Sequence, residues 1–224
     1  MIVVVGLAFE ARIAEGPGLR VICSGDGRNL AAALSRAIGE GYRGLISFGV
    51  AGGLHPDMHP GVCVVGSAVL SGTTRIATHR DWSQRLLQII PEAVHGTIVG
   101  VPAPIAHPEA KRALHARTGA VAVDMESHIV AAAAQAHGLP MAAIRVITDP
   151  AMRALPQAAV AAMRPNGTTD IAAMIRSVMN CPRELPALLR TALDARAARA
   201  TLLRGRQLLG PGLGLADSES LSPT

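Results

Sequence analysis

Aromatic side chains are almost missing from this chain of 224 residues: Phe, Tyr and Trp together make up 2% of it, although half of all residues are hydrophobic. The core must therefore be built from Ala, Val, Leu and Ile. Without aromatics for base stacking, and without a continuous run of Lys and Arg, the chain is poorly suited to nucleic acid. We expect no nucleic-acid partner.

Lysine and cysteine are scarce as well. Lys111 is the only lysine, so arginine carries the net charge of +5. The three cysteines are scattered and form no CxxC pair, which predicts neither a disulfide framework nor a zinc site. The histidines of HPDMHP at 55–60 lack an evident third ligand, so we expect no metal there.

Long hydrophobic runs are also absent. No stretch approaches the ~18–20 apolar residues of a membrane span, and the apolar start of the chain is short and lacks the basic segment of a signal peptide. A cytoplasmic protein is the default expectation. The length suits one domain with a sizeable core.

Short runs rich in Val and Ile alternate with Ala-rich helical stretches, which favours an α/β fold with helices on both faces of a sheet. The predicted strands are 1–6, 19–24, 44–49, 62–70, 96–101, 119–124 and 140–148, and the predicted helices are 28–40, 81–90, 108–117 and 126–138. Residues 60–79 contain consecutive strand-like runs without a helix, so the central sheet is expected to be mixed.

The character of the chain changes after Pro150. We predict a catalytic domain over 1–182, an Arg-rich amphipathic helix over 183–206 and a disordered tail over 207–224. Segment 184–206 either packs on the domain as an ordinary amphipathic helix or contacts anionic lipid as a peripheral membrane element.

Acidic residues follow three of the predicted strands. They are Glu10, the pair Asp124 and Glu126, and Asp149. In open α/β sheets ligands collect at the carboxyl ends of strands, so these carboxylates can converge on one crevice. A carboxylate at such a place can equally cap a helix, but the three sites together favour a functional site.

Two glycine-rich segments accompany the carboxylates. Residues 24–29 link a strand to a helix with backbone N–H groups that could hold an anion, and residues 49–53 would form a turn that a ligand can approach closely. Neither segment is a GxGxxG fingerprint or a P-loop, so a dinucleotide or ATP site is not expected.

Three segments together resemble the purine nucleoside phosphorylase/uridine phosphorylase superfamily, and within it the methylthioadenosine/S-adenosylhomocysteine nucleosidases. They are GVAGGL at 49–54, VAVDMESHIVAAAA at 121–134 and IRVITDPA at 144–151. The N-terminal GLAFEARIA, the DMESH sequence and the ALP…MRPNG…D stretch at 154–170 are similar to a narrower group, the hopanoid-associated phosphorylases, which are thought to remove adenine from adenosylhopane. The resemblance implies a nucleoside phosphorylase/hydrolase-like fold.

The resemblance also implies roles in cleaving the C1′–N9 bond of an adenine nucleoside. Asp149 matches the aspartate that, when protonated, donates to purine N7, a state that burial favours. Glu126 matches the glutamate that binds the ribose hydroxyls, and Met125 would pack against the ribose. Glu10 matches the glutamate that activates a water.

Phosphate remains open as an alternative nucleophile and co-substrate. Arg145 matches an arginine near the reaction centre, and Arg12 follows Glu10; either could hold phosphate or form a structural ion pair. Gly25, in the first glycine-rich segment, could contribute backbone N–H groups. Val50 stands where relatives often carry a small hydroxyl residue, which weakens the case for phosphate.

The remaining expected substrate contacts are Asp124, Thr148, Ile105 and Gly52. Pro104 stands where relatives place a Phe that stacks on adenine, which suits a widened site. His128 either lines the site or ends a helix. Relatives form dimers or larger assemblies, which implies a homo-oligomer. The functions left open are adenine release from adenosylhopane, methylthioadenosine/S-adenosylhomocysteine cleavage, and nucleoside binding without catalysis.

Overall fold

The computed structural model describes residues 1–24, 29–162, 168 and 170–215. The strands are β1 (Ile2–Val5), β2 (Arg20–Cys23), β3 (Leu45–Gly53), β4 (Cys63–Ser71), β5 (Thr74–Ala77), β6 (Val94–Gly100), β7 (Ala122–Asp124) and β8 (Met141–Asp149). The helices are α1 (Ala8–Ala14), α2 (Leu30–Ile38), α3 (Arg80–Ile89), α4 (Pro108–Thr118), α5 (Ser127–Ala136), α6 (Gln157–Ala161), α7 (Ile171–Asn180) and α8 (Leu185–Leu208), with a 3₁₀ turn at Pro182–Glu184.

The strands form one mixed sheet whose middle closes on itself. β3 pairs with β8, β8 with β4, β4 with β6, β6 with β7, and β7 again with β3. β1 and β2 extend the sheet from β3 by parallel pairing, and β5 pairs with β4 as a hairpin. This architecture confirms the predicted α/β class with a mixed central sheet flanked by helices.

Both faces of the sheet are covered, as its composition requires. Every residue of β1 is fully buried, which is typical of a strand with helices on both sides. One face packs against Leu30 and Leu34 of α2 and Val130 of α5, and the opposite face packs against Trp82 of α3 and Leu202 of α8. Aliphatic side chains dominate both clusters, in agreement with the scarcity of aromatics.

The structure differs from the sequence-based expectation at two places near the site. Residues 8–14, which we did not assign, form the short helix α1. Residues 49–53, expected to be a turn, are the last five residues of strand β3. They pair with β8 and β7, so the glycines leave room beside a strand.

The C-terminal segment also differs from the expected tail. Helix α8 continues to Leu208, and residues 209–215 pack on the domain. Leu209 and Leu213 are buried, and the indole N–H of Trp82 donates to the Leu213 carbonyl oxygen at 2.9 Å. Residues 209–215 are ordered because the apolar residues between their glycines cover the side of the core next to α3. No helix in the described part of the chain is long and apolar enough to cross a membrane.

Leu213→Ala tests the packing of this segment. Because Leu213 is fully buried, the truncation should lower the free energy of unfolding by about 2–4 kcal/mol. Leu208→Ala is the matched control: Leu208 is 54% exposed, so its truncation should change stability by less than about 0.5 kcal/mol. Urea unfolding measures both variants. Equal stability of the two would show that residues 209–215 do not pack on the core in solution.

Candidate active site

Glu10 is the first acidic residue of the site, and it lies on α1 immediately after β1. Its Oε2 accepts the backbone N–H groups of Gly6 and Leu7 at 2.9 and 2.8 Å, and its Oε1 accepts that of Val50 at 2.7 Å. The glutamate thus reaches back to the start of its own helix and across to β3. Glu10 is 2% exposed, so its carboxylate is held rigidly inside the protein.

Gly49 explains how the backbone of β3 comes so close to Glu10. A Cβ atom at position 49 would lie 2.5 Å from Glu10 Oε1 and 2.8 Å from Arg145 Nη1. Only a residue without a side chain fits between these two groups. The glycine-rich end of β3 therefore brings the carboxylate of Glu10 and the guanidinium of Arg145 together.

Arg145, in the middle of β8, is fully buried and forms the centre of a polar network. Its Nε donates to Asp124 Oδ2 at 2.5 Å, and its Nη2 contacts Glu126 Oε2 at 3.4 Å. Nη2 also donates to the Ser47 hydroxyl at 2.6 Å. Ser127 completes the network through hydrogen bonds to Asp124 and Ser47. A buried cation is tolerated here because carboxylates and hydroxyls surround it.

Glu126 follows β7 and faces the end of β1. A Cβ atom on Gly6 would lie 2.6 Å from Glu126 Oε1, so this glycine makes space for the carboxylate. Burial raises the pKa of Glu126 to about 8, with Arg145 acting in the opposite direction and Asp124 and Glu10 adding to the increase. The group therefore exchanges its proton near neutral pH, far above the usual range of a glutamate.

The same cause acts on Glu10. Burial raises its pKa, although Arg145 and the three backbone N–H donors favour the charged form. Burial works against the charge of Arg145, but Asp124, Glu126 and Glu10 outweigh it and raise the pKa of the guanidinium. The pocket thus contains a permanent cation and two glutamates that hold protons more tightly than in water, which is a common property of catalytic sites.

Asp149 closes β8 at the carboxyl end of the sheet, next to a β-bulge in the β3–β8 pairing. Its Oδ2 accepts a hydrogen bond from Lys111 Nζ at 2.5 Å, and its Oδ1 accepts one from the Thr148 hydroxyl at 3.1 Å. A Cβ atom on Gly52 would lie 3.1 Å from Asp149 Oδ2, so the absence of a side chain at position 52 lets the carboxylate lie against β3. The Asp149 side chain is 16% exposed, in contrast to the fully buried Lys111.

The structure does not bring every expected residue to the site. Arg12 is exposed on α1, whereas Glu10 on the same helix is buried, so Arg12 does not join the buried network. Ile105 is half-buried and packs against an apolar cluster that includes Val99 and Leu114. Gly25 lies outside the described residues.

Asp124 and Thr148, which were expected to contact the substrate, form hydrogen bonds with other groups of the protein. Asp124 is bound to Arg145 and Ser127, which makes it a support for the site and leaves it poorly placed to contact substrate. The Thr148 hydroxyl contacts Asp149 and the Ala51 carbonyl oxygen. Met125 is half-buried, which leaves part of its side chain available to a ligand.

No group of three metal-binding side chains occurs among residues that the structure describes. His128 lies in the first turn of α5, where it covers Gly100, and burial lowers the pKa of its imidazole. It is therefore a neutral, packed side chain beside the end of β6.

Two residues that support the site, Ser47 and Lys111, were not predicted from the sequence. Ser47 is a buried hydroxyl in the otherwise apolar β3 sequence LISF, and Lys111 is the only lysine, fully buried on α4. A polar residue inside an apolar strand was an available signal for Ser47. Lys111 gave no signal of its own, because an amphipathic helix normally exposes its lysines.

Comparisons with known proteins identify the family of the chain. The family model of the phosphorylase superfamily matches residues 6–180, and the chain belongs to this superfamily of enzymes. No curated protein matches the sequence closely enough to be counted as a relative.

Several solved structures share the fold. A futalosine hydrolase of Helicobacter pylori aligns with a TM-score of 0.61 at 17% identity, covering 80% of this chain and 96% of that one. A 5′-methylthioadenosine/S-adenosylhomocysteine nucleosidase of the same organism aligns with a TM-score of 0.62 at 15% identity, covering 92% and 97%. The corresponding nucleosidase of Campylobacter jejuni aligns with a TM-score of 0.58 at 15% identity, covering 91% and 98%.

Proposed function

We propose that the protein cleaves the N-glycosidic bond of an adenine nucleoside with water and releases adenine, and that its preferred substrate is adenosylhopane. The observation that carries the proposal is the buried group of Glu10, Arg145 and Glu126, together with the partly exposed carboxylate of Asp149 four residues further along the strand of Arg145. This group offers a base for the nucleophile, an acceptor for the sugar and an acidic group for the leaving purine.

Glu126 would bind the sugar. Breaking the C1′–N9 bond builds positive charge on the ribose ring, and a carboxylate that accepts hydrogen bonds from the ribose hydroxyls stabilises that charge as it develops. Arg145 and Asp124 hold the surroundings of this carboxylate in place, so little reorganisation is needed during the reaction.

Glu10 would take the proton of the attacking water. Its raised pKa brings it closer to the pH at which a general base works best. Phosphate is the less favoured nucleophile, since the Nε and Nη2 donors of Arg145 contact Asp124, Glu126 and Ser47, and Arg12 is exposed on α1. Val50 also supplies no hydroxyl for a phosphate group.

Asp149 would face the purine. It is the last residue of β8, and its side chain is 16% exposed, so a ligand can reach the carboxylate. A hydrogen bond or proton given to N7 converts adenine into a better leaving group. This is the role that the sequence resemblance assigns to Asp149.

Adenosylhopane is preferred over methylthioadenosine on the basis of the sequence. The segments GLAFEARIA and DMESH resemble the hopanoid-associated group, and exposed Pro104 stands in place of the aromatic residue of the nucleosidases. Methylthioadenosine or S-adenosylhomocysteine is the alternative substrate, favoured by the likeness to the two nucleosidase structures over more than nine-tenths of the chain.

The substrate proposal is tested by comparing kcat/KM for adenine release from adenosylhopane, presented in detergent micelles, and from methylthioadenosine. The proposal expects the higher value for adenosylhopane. A higher value for methylthioadenosine would assign the protein to sulfur salvage, and release from neither would leave only a binding role.

The pH dependence tests the role of Glu126. Because its pKa is raised to about 8, Glu126 is protonated in most free enzyme molecules at pH 7 and becomes ionised as the pH passes 8. If the ionised form binds the ribose, kcat/KM should rise with pH by about tenfold per unit below 8 and level off above it. Glu126→Gln should lower kcat by about 10²–10³-fold and remove this rise. A wild-type profile that is flat between pH 6 and 9 would contradict the assignment.

A further inference from the structure

Lys111 is a buried titratable group that the proposed reaction has not used. It lies on α4, it is fully buried, and all three of its ammonium protons are engaged. Nζ donates to Asp149 Oδ2 at 2.5 Å, to the Pro150 carbonyl oxygen at 3.1 Å and to the Arg153 carbonyl oxygen at 3.4 Å. Of these acceptors only Asp149 can take a proton.

We infer that Lys111 supplies, through Asp149, the proton that the leaving adenine takes up. The inference rests on the proposed function. Asp149 stands between the fully buried ammonium on one side and the open end of the sheet on the other. In the hydrogen bond between the two side chains, Lys111 Nζ carries the proton and Asp149 Oδ2 accepts it. The nearest proton is on Lys111 Nζ.

The step balances in protons and electrons. The C1′–N9 electron pair stays with the purine, N7 takes a proton from Asp149, and Asp149 takes one from Lys111 Nζ. Water adds to C1′ and gives its proton to Glu10. Lys111 then carries a neutral amine and Glu10 a neutral carboxyl, and exchange with solvent restores both groups.

The transfer creates no new charge in the protein interior. Moving the proton from Lys111 to Asp149 leaves two neutral groups in the place of an ion pair. The two carbonyl acceptors on Pro150 and Arg153 still hold the amine in position afterwards. The same contacts keep the end of β8 and the following loop against α4.

Few other groups can influence the pair. The guanidinium of Arg153 turns away and bonds Asp194 Oδ2 at 2.5 Å, and His115, one turn further along α4, bonds the Ala120 carbonyl oxygen. Among the residues that the structure describes, no further charged side chain contacts Lys111 or Asp149. The groups that titrate elsewhere in the site are Glu10 and Glu126.

The test compares Lys111→Met, Lys111→Gln and Lys111→Arg with the wild type. Methionine and glutamine remove the proton source, and arginine keeps the charge and the hydrogen bonds but cannot release a proton. All three should lower kcat for adenine release by about 10²-fold or more at pH 8. Circular dichroism and thermal melting identify variants that are folded.

The pH dependence separates a proton donor from a structural tether. Without Lys111, Asp149 must be protonated from solvent, so the ratio of variant to wild-type kcat/KM should increase as the pH falls from 8 to 5.5. The ratio is used because ionisation of Glu126 changes kcat/KM of the variant and of the wild type in the same way. A folded Lys111→Arg enzyme with wild-type activity, or a ratio that does not change with pH, would overturn the inference. Adenine release by the wild type tests the proposed function separately.

A different observation concerns the outer face of α8. Leu185, Leu189 and Leu193 follow one another at intervals of four residues, so they share one side of the helix, and they are 46%, 59% and 64% exposed. The buried side of α8 carries Ala198 and Leu202 instead. The sequence pattern alone had left it open whether these leucines face the domain.

Arginines surround this leucine face. Arg183, Arg190, Arg196 and Arg199 are all exposed, and none of them pairs with a carboxylate in the described part of the chain. The nearby acidic groups are occupied: Asp194 pairs with Arg153, and Glu184 accepts the Ala158 N–H group. The face is therefore apolar along its middle and positive at its borders.

We propose that this face docks on a membrane of anionic phospholipids. Leucines can enter the interfacial region while arginines contact the lipid phosphates. A second copy of the chain fits less well, because a symmetric contact would bring arginines against arginines. Three leucines also cover far less than the ~800 Å² per partner of a standard protein interface.

The helix that carries the leucine face also contacts the loop after β8. Asp194, next to Leu193, pairs with Arg153, whose carbonyl oxygen accepts a hydrogen bond from Lys111 beside Asp149. These contacts connect α8, which carries the leucine face, with the loop that follows β8.

Vesicle sedimentation tests this proposal. The full chain should bind vesicles of phosphatidylglycerol and phosphatidylcholine and should not bind phosphatidylcholine alone. The double variant Leu189→Gln, Leu193→Gln should bind at least about tenfold more weakly, with methylthioadenosine cleavage unchanged. Leu208→Gln, equally exposed on the same helix but off this face, is the control. Equal binding of the double variant and the control would overturn the proposal, as would a double variant that changes its oligomeric state but still binds the vesicles.

Discussion

Asp149→Asn should lower kcat for adenine release by about 10²–10⁴-fold, the usual contribution of a general acid. The amide cannot transmit a proton from Lys111 to N7, although it can still occupy the space between Thr148 and Gly52. Binding of the nucleoside should weaken much less, because the sugar contacts of Glu126 remain. Steady-state kinetics of adenine release and calorimetric binding measure the two effects.

The control for this variant is Asp57→Asn, which changes an exposed aspartate in the loop at 55–60. It should behave as the wild type in both measurements. The variants Asp149→Asn and Lys111→Met can also be combined. If the two residues act in series, the double variant should be little worse than either single one. Wild-type activity of Asp149→Asn would remove Asp149, and with it the Lys111 relay, from the mechanism.

Glu10→Gln should lower kcat by a similar ~10²–10⁴-fold, since the amide cannot accept the proton of the attacking water. The variant also places an NH₂ group opposite one of the backbone N–H donors of Gly6, Leu7 and Val50, so thermal melting must accompany the kinetics. The expected enzyme binds its nucleoside and fails to cleave it.

Glu15→Gln is the matched control, because Glu15 lies at the end of the same helix and is exposed. It should retain full activity. A folded Glu10→Gln enzyme with wild-type turnover would show that the water is activated elsewhere. Loss of nucleoside binding together with turnover would instead make Glu10 a binding residue.

Much of the fold follows from the sequence. Buried strands such as Ile2–Val5 and Met141–Asp149 are short apolar runs bounded by glycine or proline, and such runs have few alternatives in an α/β chain. Helix α1, which was not predicted, shows the limit of reading elements from the sequence. Seven residues give too little periodicity to recognise, and the helix depends on the contacts of Glu10 with β3.

Some candidate site residues could be named from their position in the chain, because acidic residues stand at the ends of predicted strands. Glu10 and Glu126 follow strands and Asp149 ends one, which makes them candidates in the sequence. Because β7 runs antiparallel to β3, these strands do not all end at one edge of the sheet. Partners from distant elements were not predictable in this way. Ser47 and Lys111 meet Arg145 and Asp149 only through the closed pairing of β3 and β8 and the packing of α4.

The C-terminal region shows why composition alone misleads. The glycine-rich residues 209–215 were expected to be disordered, yet Leu209 and Leu213 fill space next to Trp82. Conversely, the leucines at 185, 189 and 193 were candidates for a packed face and are exposed. Whether a segment is buried depends on the surface that it packs against, and the sequence of the segment does not contain that information.

We propose water as the nucleophile that releases adenine from the nucleoside. Both products can be followed after incubating the purified protein with adenosylhopane or methylthioadenosine, in phosphate-free buffer and with added phosphate. With water as the nucleophile, adenine should appear at equal rates in both buffers, together with a sugar product whose mass shows a free 1-hydroxyl group. Adenine release only in phosphate, with a sugar 1-phosphate as the second product, would show that the protein is a phosphorylase.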